Sequence, residues 1–310
     1  MSNLDPWDIG TLYKPLIWVF YILSNYSGVL FCSHLIYVVK HNPDRLTSDI
    51  FVCGLASGCL TMSITCGTQC LLNLIANRFY GGVVACQIEA IAHISAVLTE
   101  FLCVTSLSIG MYFSVVRSRA IEQKTALKII VIIWLCCTII TCLLSLVSPI
   151  YLMSAGTYCF FAFSSVAIAG WLVSGLVIAL GTMLVCHIKI VRHLTKMVPN
   201  NTLIKTLGQS KTISQHDIWM QQFQWRSTLF MITLLIGWGF AAVTVIYELS
   251  AGYAAEWLVT AVGVGGVSFS WFVPLVFLYT SPHYRAIMGV CSSRCQQLIG
   301  SCKRDKEIRV

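Results

Sequence analysis

The stretch CQIEAIAHISAVLTEFLCVTSLSIGMYFSVVRSR, from Cys86 to Arg119, decides the fold of this chain. Its 34 residues are predominantly apolar. At about 1.5 Å per residue such a stretch forms a helix roughly 50 Å long. Because the hydrocarbon core of a bilayer is only about 30 Å thick, the stretch predicts a membrane-spanning helix that is tilted and extends past the lipid at its inner end.

Three ionisable residues interrupt this apolar stretch: Glu89, His93 and Glu100. At about 100° per residue they share one face of the helix with Cys86, within a sector roughly 60° wide. Ionisable groups inside a membrane are costly, so they normally face a bundle interior or a water-filled cavity. The pattern therefore places this helix in the middle of a bundle, with its polar stripe lining an internal space.

The composition of the chain identifies its class. Of the 310 residues, 57% are hydrophobic and only 10% are charged, whereas soluble domains are about one quarter charged. Long unbroken apolar runs exclude a β-barrel, and they predict an all-α polytopic membrane protein. Most of the 15 cysteines lie inside apolar runs and are interpreted as small core residues. The sequence has no C-x-x-C motif and no His/Cys cluster with zinc-ligand spacing, so no metal site is expected.

The apolar runs predict seven spans, the third of which is the stretch quoted above. The others cover approximately residues 15–39, 49–76, 129–152, 163–190, 226–249 and 256–280. The chain then divides into an N-terminal segment (1–14), the seven-helix bundle (15–280) and a C-terminal segment (281–310). The last of these is predicted to begin with an amphipathic helix that lies on the inner leaflet of the bilayer.

Basic residues are distributed unevenly along the chain. Eighteen of the 20 lysines and arginines fall in the tail or in the segments that follow spans one, three and five. The positive-inside rule therefore predicts an extracellular N-terminus and a cytoplasmic C-terminus. The plasma membrane is the expected location of the protein. The net charge of +8 is thereby assigned to the cytoplasmic side of the bilayer, and no nucleic-acid partner is expected.

Seven spans, a long third helix and short outer loops resemble the rhodopsin-like (class A) G-protein-coupled receptors. Trp134 matches the tryptophan of span four in that family, and Leu55-Ala56 matches its Leu-Ala in span two. Gly237-Trp238-Gly239 corresponds to Cys-Trp-x-Pro in span six, and residues 273–277 (VPLVF) correspond to Asn-Pro-x-x-Tyr in span seven. The resemblance covers nearly the whole chain and rests on the order and spacing of these positions.

The resemblance implies a disulfide and a signalling role. Cys86 stands where the family has the cysteine at the outer start of span three, and Cys159 lies in the second outer loop, where its partner is expected. The family's Asp-Arg-Tyr reads Gly110-Met111-Tyr112 here, so the arginine that engages the G protein is absent. The resemblance implies a G protein or an arrestin as the cytoplasmic partner, and this departure weakens that inference.

Two interpretations fit Glu100. The family's sodium-site aspartate in span two is replaced by Cys59, and Glu100 would restore a carboxylate from span three. The favoured interpretation is a buried, protonated glutamic acid that forms a hydrogen bond with a neighbour. Trp238 matches the family's toggle position, but core packing is the favoured interpretation there as well.

Covalent retinal is not expected as a cofactor. Glu89 matches the position of the retinal counter-ion in visual opsins, but a Schiff base requires a lysine in span seven. No lysine occurs between Lys211 and Lys303, and Val267 stands at the corresponding position.

A ligand site is predicted near the outer mouth of the bundle. Glu89 and His93 lie one turn apart there, and Trp238, Tyr247 and Glu248 of span six are expected to line the same space. These residues predict a pocket for a small-molecule or peptide ligand with a polar or cationic group. A solvated glutamate and a structural histidine bonded to a backbone carbonyl explain the first pair equally well.

Two function classes follow from the polar stripe. The first is a receptor that binds an extracellular ligand, and the second is a small transporter or channel. Beyond Glu100 the stripe continues as Cys103, Leu107 and Met111, an apolar floor that favours the receptor. No nucleophile–base pair is visible, so an enzyme is not expected.

The tail contains candidate lipidation sites. Cys291, Cys295 and Cys302 follow the last span, close to basic residues, and are interpreted as palmitoylation sites or as free cytosolic thiols.

Overall fold

A computed structural model describes residues 13–42, 45–76, 79–152, 158–197, 215–252 and 256–280. These residues form seven helices and one two-stranded hairpin. The helices are α1 (Tyr13–His41), α2 (Thr47–Ala76), α3 (Gly82–Val116), α4 (Gln123–Ser145), α5 (Val166–Met197), α6 (Gln215–Ala251) and α7 (Glu256–Thr280), and the strands are β1 (Ile150–Leu152) and β2 (Cys159–Phe161). The predicted amphipathic helix and the three tail cysteines, Cys291, Cys295 and Cys302, lie outside the described residues, as does nearly all of the N-terminal segment.

All seven described helices are long and apolar enough to cross a membrane, which confirms the predicted all-α polytopic bundle. Their ends differ from the predicted span ends. Span four was expected to reach Leu152, but α4 ends at Ser145 and the chain turns into β1. Pro149 explains this end, because proline has no backbone N–H and disfavours a helical conformation of the residue before it.

The helices next to the long polar segment extend further than the apolar runs do. α5 continues to Met197, seven residues past the predicted end, and α6 begins at Gln215 instead of near residue 226. Backbone hydrogen bonds within a helix do not depend on a lipid environment, so a helix does not have to end where its apolar residues end. Hydropathy marks the membrane boundary, and the helix passes beyond it.

α3 occupies the centre of the bundle, as its polar stripe predicted. It packs against α2, α4, α5 and both strands of the hairpin. Glu89 and His93 are each only 4% exposed, and Glu100 is completely buried. The ionisable residues of the stripe therefore face protein rather than lipid.

Small residues allow two close approaches between helices. A Cβ on Gly58 of α2 would lie 2.8 Å from Cγ of Glu100 on α3. A Cβ on Gly265 of α7 would lie 2.6 Å from the backbone carbonyl oxygen of Gly237 on α6. The first glycine makes room for the buried carboxyl, and the second brings two backbones together.

The cysteines inside apolar runs were interpreted as core residues. Of the ten free cysteines among the described residues seven are buried, but Cys136 and Cys142 on α4 are exposed. The interpretation is wrong for these two, because α4 lies at the edge of the bundle and turns one apolar flank outward, away from the protein.

Candidate functional site

A segment of the loop between α4 and α5 fills the mouth of the bundle. The mouth is defined as the end of the bundle where α3 begins. The strands pair antiparallel, with Ile150 opposite Phe161 and Leu152 opposite Cys159. We call residues 158–163 (YCFFAF) the lid segment. Its side chains are between 0% and 7% exposed. The sequence predicted a loop up to Ala162 and the start of span five at Phe163, whereas α5 begins at Val166. The structure shows a segment packed into the bundle as tightly as the core.

The predicted disulfide joins the lid segment to α3. Cys86 lies in the second turn of that helix and Cys159 is the first residue of β2, and their Cα atoms are 5.2 Å apart. This separation falls within the usual range of about 4.4–6.8 Å. The bond holds the lid segment against the helix that carries the polar stripe.

Glu89 binds the same residue of the lid segment. Its Oε2 atom accepts a hydrogen bond of 3.0 Å from the backbone N–H of Cys159. The side chain is buried, so its interpretation as a solvated glutamate is wrong. The other carboxylate oxygen, Oε1, has no hydrogen-bond partner among the described residues.

His93 lies one turn further along α3 and packs against two aromatic rings of the lid segment. Its ring centroid is 5.5 Å from that of Tyr158 and 6.4 Å from that of Phe160. Its Nδ1 atom has no hydrogen-bond partner within the described part of the chain. The structure thus places Glu89 and His93 together at the mouth, against the chain's own lid segment. The ligand pocket that these residues predicted stays a prediction.

Tyr158 extends from the lid segment across the bundle. Its ring centroid lies 5.8 Å from that of Tyr21 on α1. Both tyrosine hydroxyls lie against Gly263 of α7, where a Cβ would be 2.8 Å from the Tyr158 hydroxyl and would overlap that of Tyr21. Burial raises the pKa of Tyr158 well above the ordinary value of 10.0, so the phenol stays neutral and keeps its proton for donation.

Glu248 ties α6 to the other end of the lid segment. Its Oε1 atom accepts a hydrogen bond of 2.9 Å from the backbone N–H of Ser164, the residue that follows the segment. Its neighbour Tyr247 is half-buried. The structure therefore brings Glu89, His93 and Glu248 to one segment, and two of these three residues bind its backbone.

Trp238 and Glu100 belong to the packed interior. The Trp238 ring meets the rings of Phe101 and Phe269 edge-on, at centroid distances of 5.8 and 6.3 Å. The Glu100 carboxyl adjoins the Cys59 thiol and the Trp238 indole. Neither of its oxygens has hydrogen-bond geometry to any described residue. The same part of the chain contains no group of three or more His, Cys, Asp or Glu residues able to hold a metal ion.

Sequence reasoning missed three residues of this site: Tyr21, Tyr158 and Gly263. One signal was present, because four of the six residues of the lid segment are aromatic. Loops normally lie on the surface, and such a run of aromatic residues in a loop indicates burial. Nothing comparable marks Gly263 among the glycines of α7.

Three comparisons bear on this arrangement. The sequence model of the family described as "7 transmembrane receptor (rhodopsin family)" matches residues 33–251. The pyroglutamylated RF-amide peptide receptor of Rattus norvegicus is 26% identical over 113 residues, which cover 35% of this chain and 26% of that receptor. The QRFP-like peptide receptor of Branchiostoma floridae is 25% identical over 126 residues, which cover 39% of this chain and 33% of that receptor.

The matched region thus spans only about a quarter to a third of the length of these curated relatives. Among solved structures, the crystal structure of squid rhodopsin superimposes with a TM-score of 0.73 and 13% sequence identity, covering 88% of this chain and 83% of that chain. At this identity the likeness concerns the fold alone.

Proposed function

We propose that this chain, which belongs to the rhodopsin family of seven-transmembrane receptors, binds a peptide at the mouth of its bundle and signals to a G protein or an arrestin at the opposite end. The family match covers more than two thirds of the chain. The observation that most supports a ligand at the mouth is the buried Glu89 carboxylate, which has one oxygen bound to the lid segment and one without a hydrogen-bond partner among the described residues.

A peptide is the ligand class that the relatives suggest. Their names describe receptors for pyroglutamylated RF-amide peptides and for QRFP-like peptides. A peptide offers amide and guanidinium donors, and a hydrogen bond from such a donor to a carboxylate is stronger than one between neutral groups. Glu89 Oε1, which has no partner among the described residues, is a suitable acceptor for those groups, and so is Nδ1 of His93 in the tautomer that carries its proton on Nε2.

The signalling end is proposed to be the end where α3 finishes. No arginine stands next to Tyr112 in the sequence, but a cation lies beside this tyrosine in space. The Lys189 ammonium of α5 is 5.5 Å from the centroid of the Tyr112 ring. We propose that this cation–π contact between α3 and α5 contributes to the surface that meets the cytoplasmic partner.

Transport is the weaker alternative. A polar pathway would have to continue past Glu100, but Cys103 is completely buried in the apolar core, and Leu107 packs against that core. A retinal pigment is also not proposed, because the chain has no lysine between Lys211 and Lys303.

The experiment is reconstitution of the full chain in lipid nanodiscs with a panel of heterotrimeric G proteins and arrestins. A synthetic peptide that ends in Arg-Phe-amide is the probe, and the same peptide with a free carboxyl end is its matched control. We expect the amidated peptide to stimulate guanine-nucleotide exchange or arrestin binding. Absence of any association with either class of partner, with or without peptide, would refute the signalling proposal.

A further inference from the structure

We infer that the space beneath the lid segment is a binding site for an extended aromatic peptide, and that the chain's own Tyr158 fills it in the structure described here. An external peptide then binds by replacing the Tyr158 side chain with an aromatic side chain of its own. The inference rests on the proposed receptor function and adds the chemistry of the ligand and the position of its anchoring ring.

The lid segment is held in the way that a bound peptide is held. A carboxylate accepts its backbone N–H at Cys159. The rings on both sides of that residue, Tyr158 and Phe160, pack on His93. The contacts come from helices that are distant in sequence, since Tyr158 also meets Tyr21 of α1 and Gly263 of α7. These are the elements of peptide recognition: main-chain hydrogen bonding supplies affinity, and pockets for side chains supply specificity.

The inner end of the site is shaped for a ring with a polar tip. Gly263 leaves space for the Tyr158 hydroxyl, and a Cβ at that position would approach it to 2.8 Å. The Tyr21 hydroxyl lies against the same glycine. A phenol fits this end, whereas a plain hydrocarbon ring would leave the Tyr21 hydroxyl without that neighbour.

The position of Tyr158 in the hairpin allows its side chain to leave the site while the rest of the lid segment stays in place. The disulfide fixes Cys159 to α3, and the hairpin pairing ends with Leu152 opposite Cys159. Tyr158 is the first residue beyond that last pair. Its side chain is therefore held by ring packing and by the contact of its hydroxyl with Tyr21. Rotation of this one side chain would vacate the site without breaking the described hairpin.

The resident segment also leaves polar atoms unused. Glu89 Oε1 and His93 Nδ1 are buried and have no hydrogen-bond partner among the described residues. An external peptide that brings its own N–H and C=O groups can pair with both atoms. This unused capacity is what allows a ligand to compete with a side chain that is covalently attached to the site.

The test uses the full chain in nanodiscs and the variant Tyr158→Ala, with 4-methylphenol as the probe because it contains the phenol group that the substitution removes. At a concentration near 100 times its dissociation constant, we expect 4-methylphenol to raise the Tm of Tyr158→Ala by about 5 °C. The parent protein should show no shift, since its site is occupied. Toluene, which has no hydroxyl, should stabilise the variant less.

The control is Tyr80→Ala, which removes a tyrosine that is 52% exposed and leaves no cavity. It should not respond to 4-methylphenol. If folded Tyr158→Ala is not stabilised, or if the parent protein and Tyr80→Ala respond equally, the inference is wrong.

A second variant decides the matter if Tyr158→Ala does not fold. Tyr158→Phe keeps the ring and loses one hydroxyl. We expect it to bind the peptide acetyl-Tyr-Ser-Phe-Phe-amide about fivefold more tightly than the parent protein does, because the resident side chain is held less firmly. Equal affinities would overturn the inference. Both readouts measure binding alone, so they are independent of whether a G protein or an arrestin couples.

Discussion

The Glu89 carboxylate of α3 and the backbone N–H of Cys159 in β2 form a hydrogen bond of 3.0 Å, one helical turn after the disulfide that links Cys86 to the same Cys159. Two neighbouring side chains of one helix thus hold a single residue of the lid segment. Cys86 holds it by a covalent bond, and Glu89 holds it by a hydrogen bond. The contributions of the disulfide and of the hydrogen bond to the free energy of unfolding are therefore expected to depend on each other.

Replacement of Glu89 by alanine should destabilise the protein. The buried N–H of Cys159 would lose its acceptor, at a cost of about 1–3 kcal/mol in the free energy of unfolding. Glu89→Gln retains a carbonyl acceptor and should cost less. Thermal unfolding monitored with a fluorogenic thiol probe measures both, since seven of the ten free cysteines in the described part of the chain are buried. Glu122→Ala, at an exposed position, is the matched control, and the prediction fails if Glu89→Ala melts as this control does.

Loss of the disulfide should cost more than loss of the hydrogen bond. The bond closes a loop with a sequence separation of 73 residues. Such a cross-link lowers the conformational entropy of the unfolded chain by an amount that corresponds to about 4 kcal/mol. Once Cys86 and Cys159 are both serine, the lid segment is free to move, and adding Glu89→Ala should have a smaller effect than it has alone. A double-mutant cycle of melting measurements tests this coupling. Strict additivity of the two changes would show that they hold the lid segment independently.

The sequence predicts the seven helices and the central place of α3 because both depend on local patterns. An apolar run of about 20 residues suffices to span a bilayer, and the polar stripe of Glu89, His93 and Glu100 shows which helix must be shielded. The acceptor role of Glu89 could not be predicted in this way. Its partner is a backbone N–H 70 residues away in the chain. The location of that N–H depends on a hairpin whose strands lack the alternation of polar and apolar residues by which a strand is predicted.

The site of Tyr158 could not be predicted from the sequence for a related reason. A loop is assigned by the absence of helical and membrane patterns, and that absence says nothing about burial. The aromatic residues of the lid segment were the only local indication, whereas Gly263 acquires its role through contact with side chains from α1 and the lid segment. The ends of α5 and α6 were misplaced because hydropathy reports the lipid boundary and not the last backbone hydrogen bond.

The tail cysteines are proposed to be palmitoylated. Cys291, Cys295 and Cys302 follow the last membrane span and lie among basic residues that favour an anionic leaflet. Metabolic labelling with a clickable palmitate analogue should give a hydroxylamine-sensitive signal that disappears when all three residues become serine. Serine at Cys136 and Cys142 of α4 should leave the signal unchanged. If the parent protein is not labelled, the proposal that the tail cysteines are palmitoylated is wrong.

The proposed orientation follows from the basic residues, 18 of which lie on one predicted side of the membrane. An epitope tag at the N-terminus should be accessible to antibody in intact cells, and a tag at the C-terminus should become accessible only after permeabilisation. Because the described residues form seven spans, the two tags are expected on opposite sides of the membrane. Accessibility of the C-terminal tag alone in intact cells would reverse the orientation and move the mouth of the bundle to the cytosol.

The contact between α6 and α7 should respond oppositely to alanine at two glycines. At Gly265, a Cβ would lie 2.6 Å from the backbone carbonyl oxygen of Gly237 and 3.2 Å from that of Ile236. Backbone atoms cannot move aside by changing rotamer, so α6 and α7 would have to separate. Overpacking of this kind costs about 1–3 kcal/mol. At Gly239, by contrast, a Cβ would meet nothing within 4 Å.

Gly265→Ala should therefore lower the Tm, whereas Gly239→Ala should leave it unchanged or raise it, since alanine favours a helix over glycine by about 1 kcal/mol. Trp238 provides a second measurement, because its ring meets that of Phe269 on α7 across this interface at 6.3 Å. Separation of the helices by Gly265→Ala should expose that indole and shift tryptophan emission to longer wavelength. Similar melting temperatures and emission spectra for the two variants would mean that the close backbone approach does not hold α6 against α7.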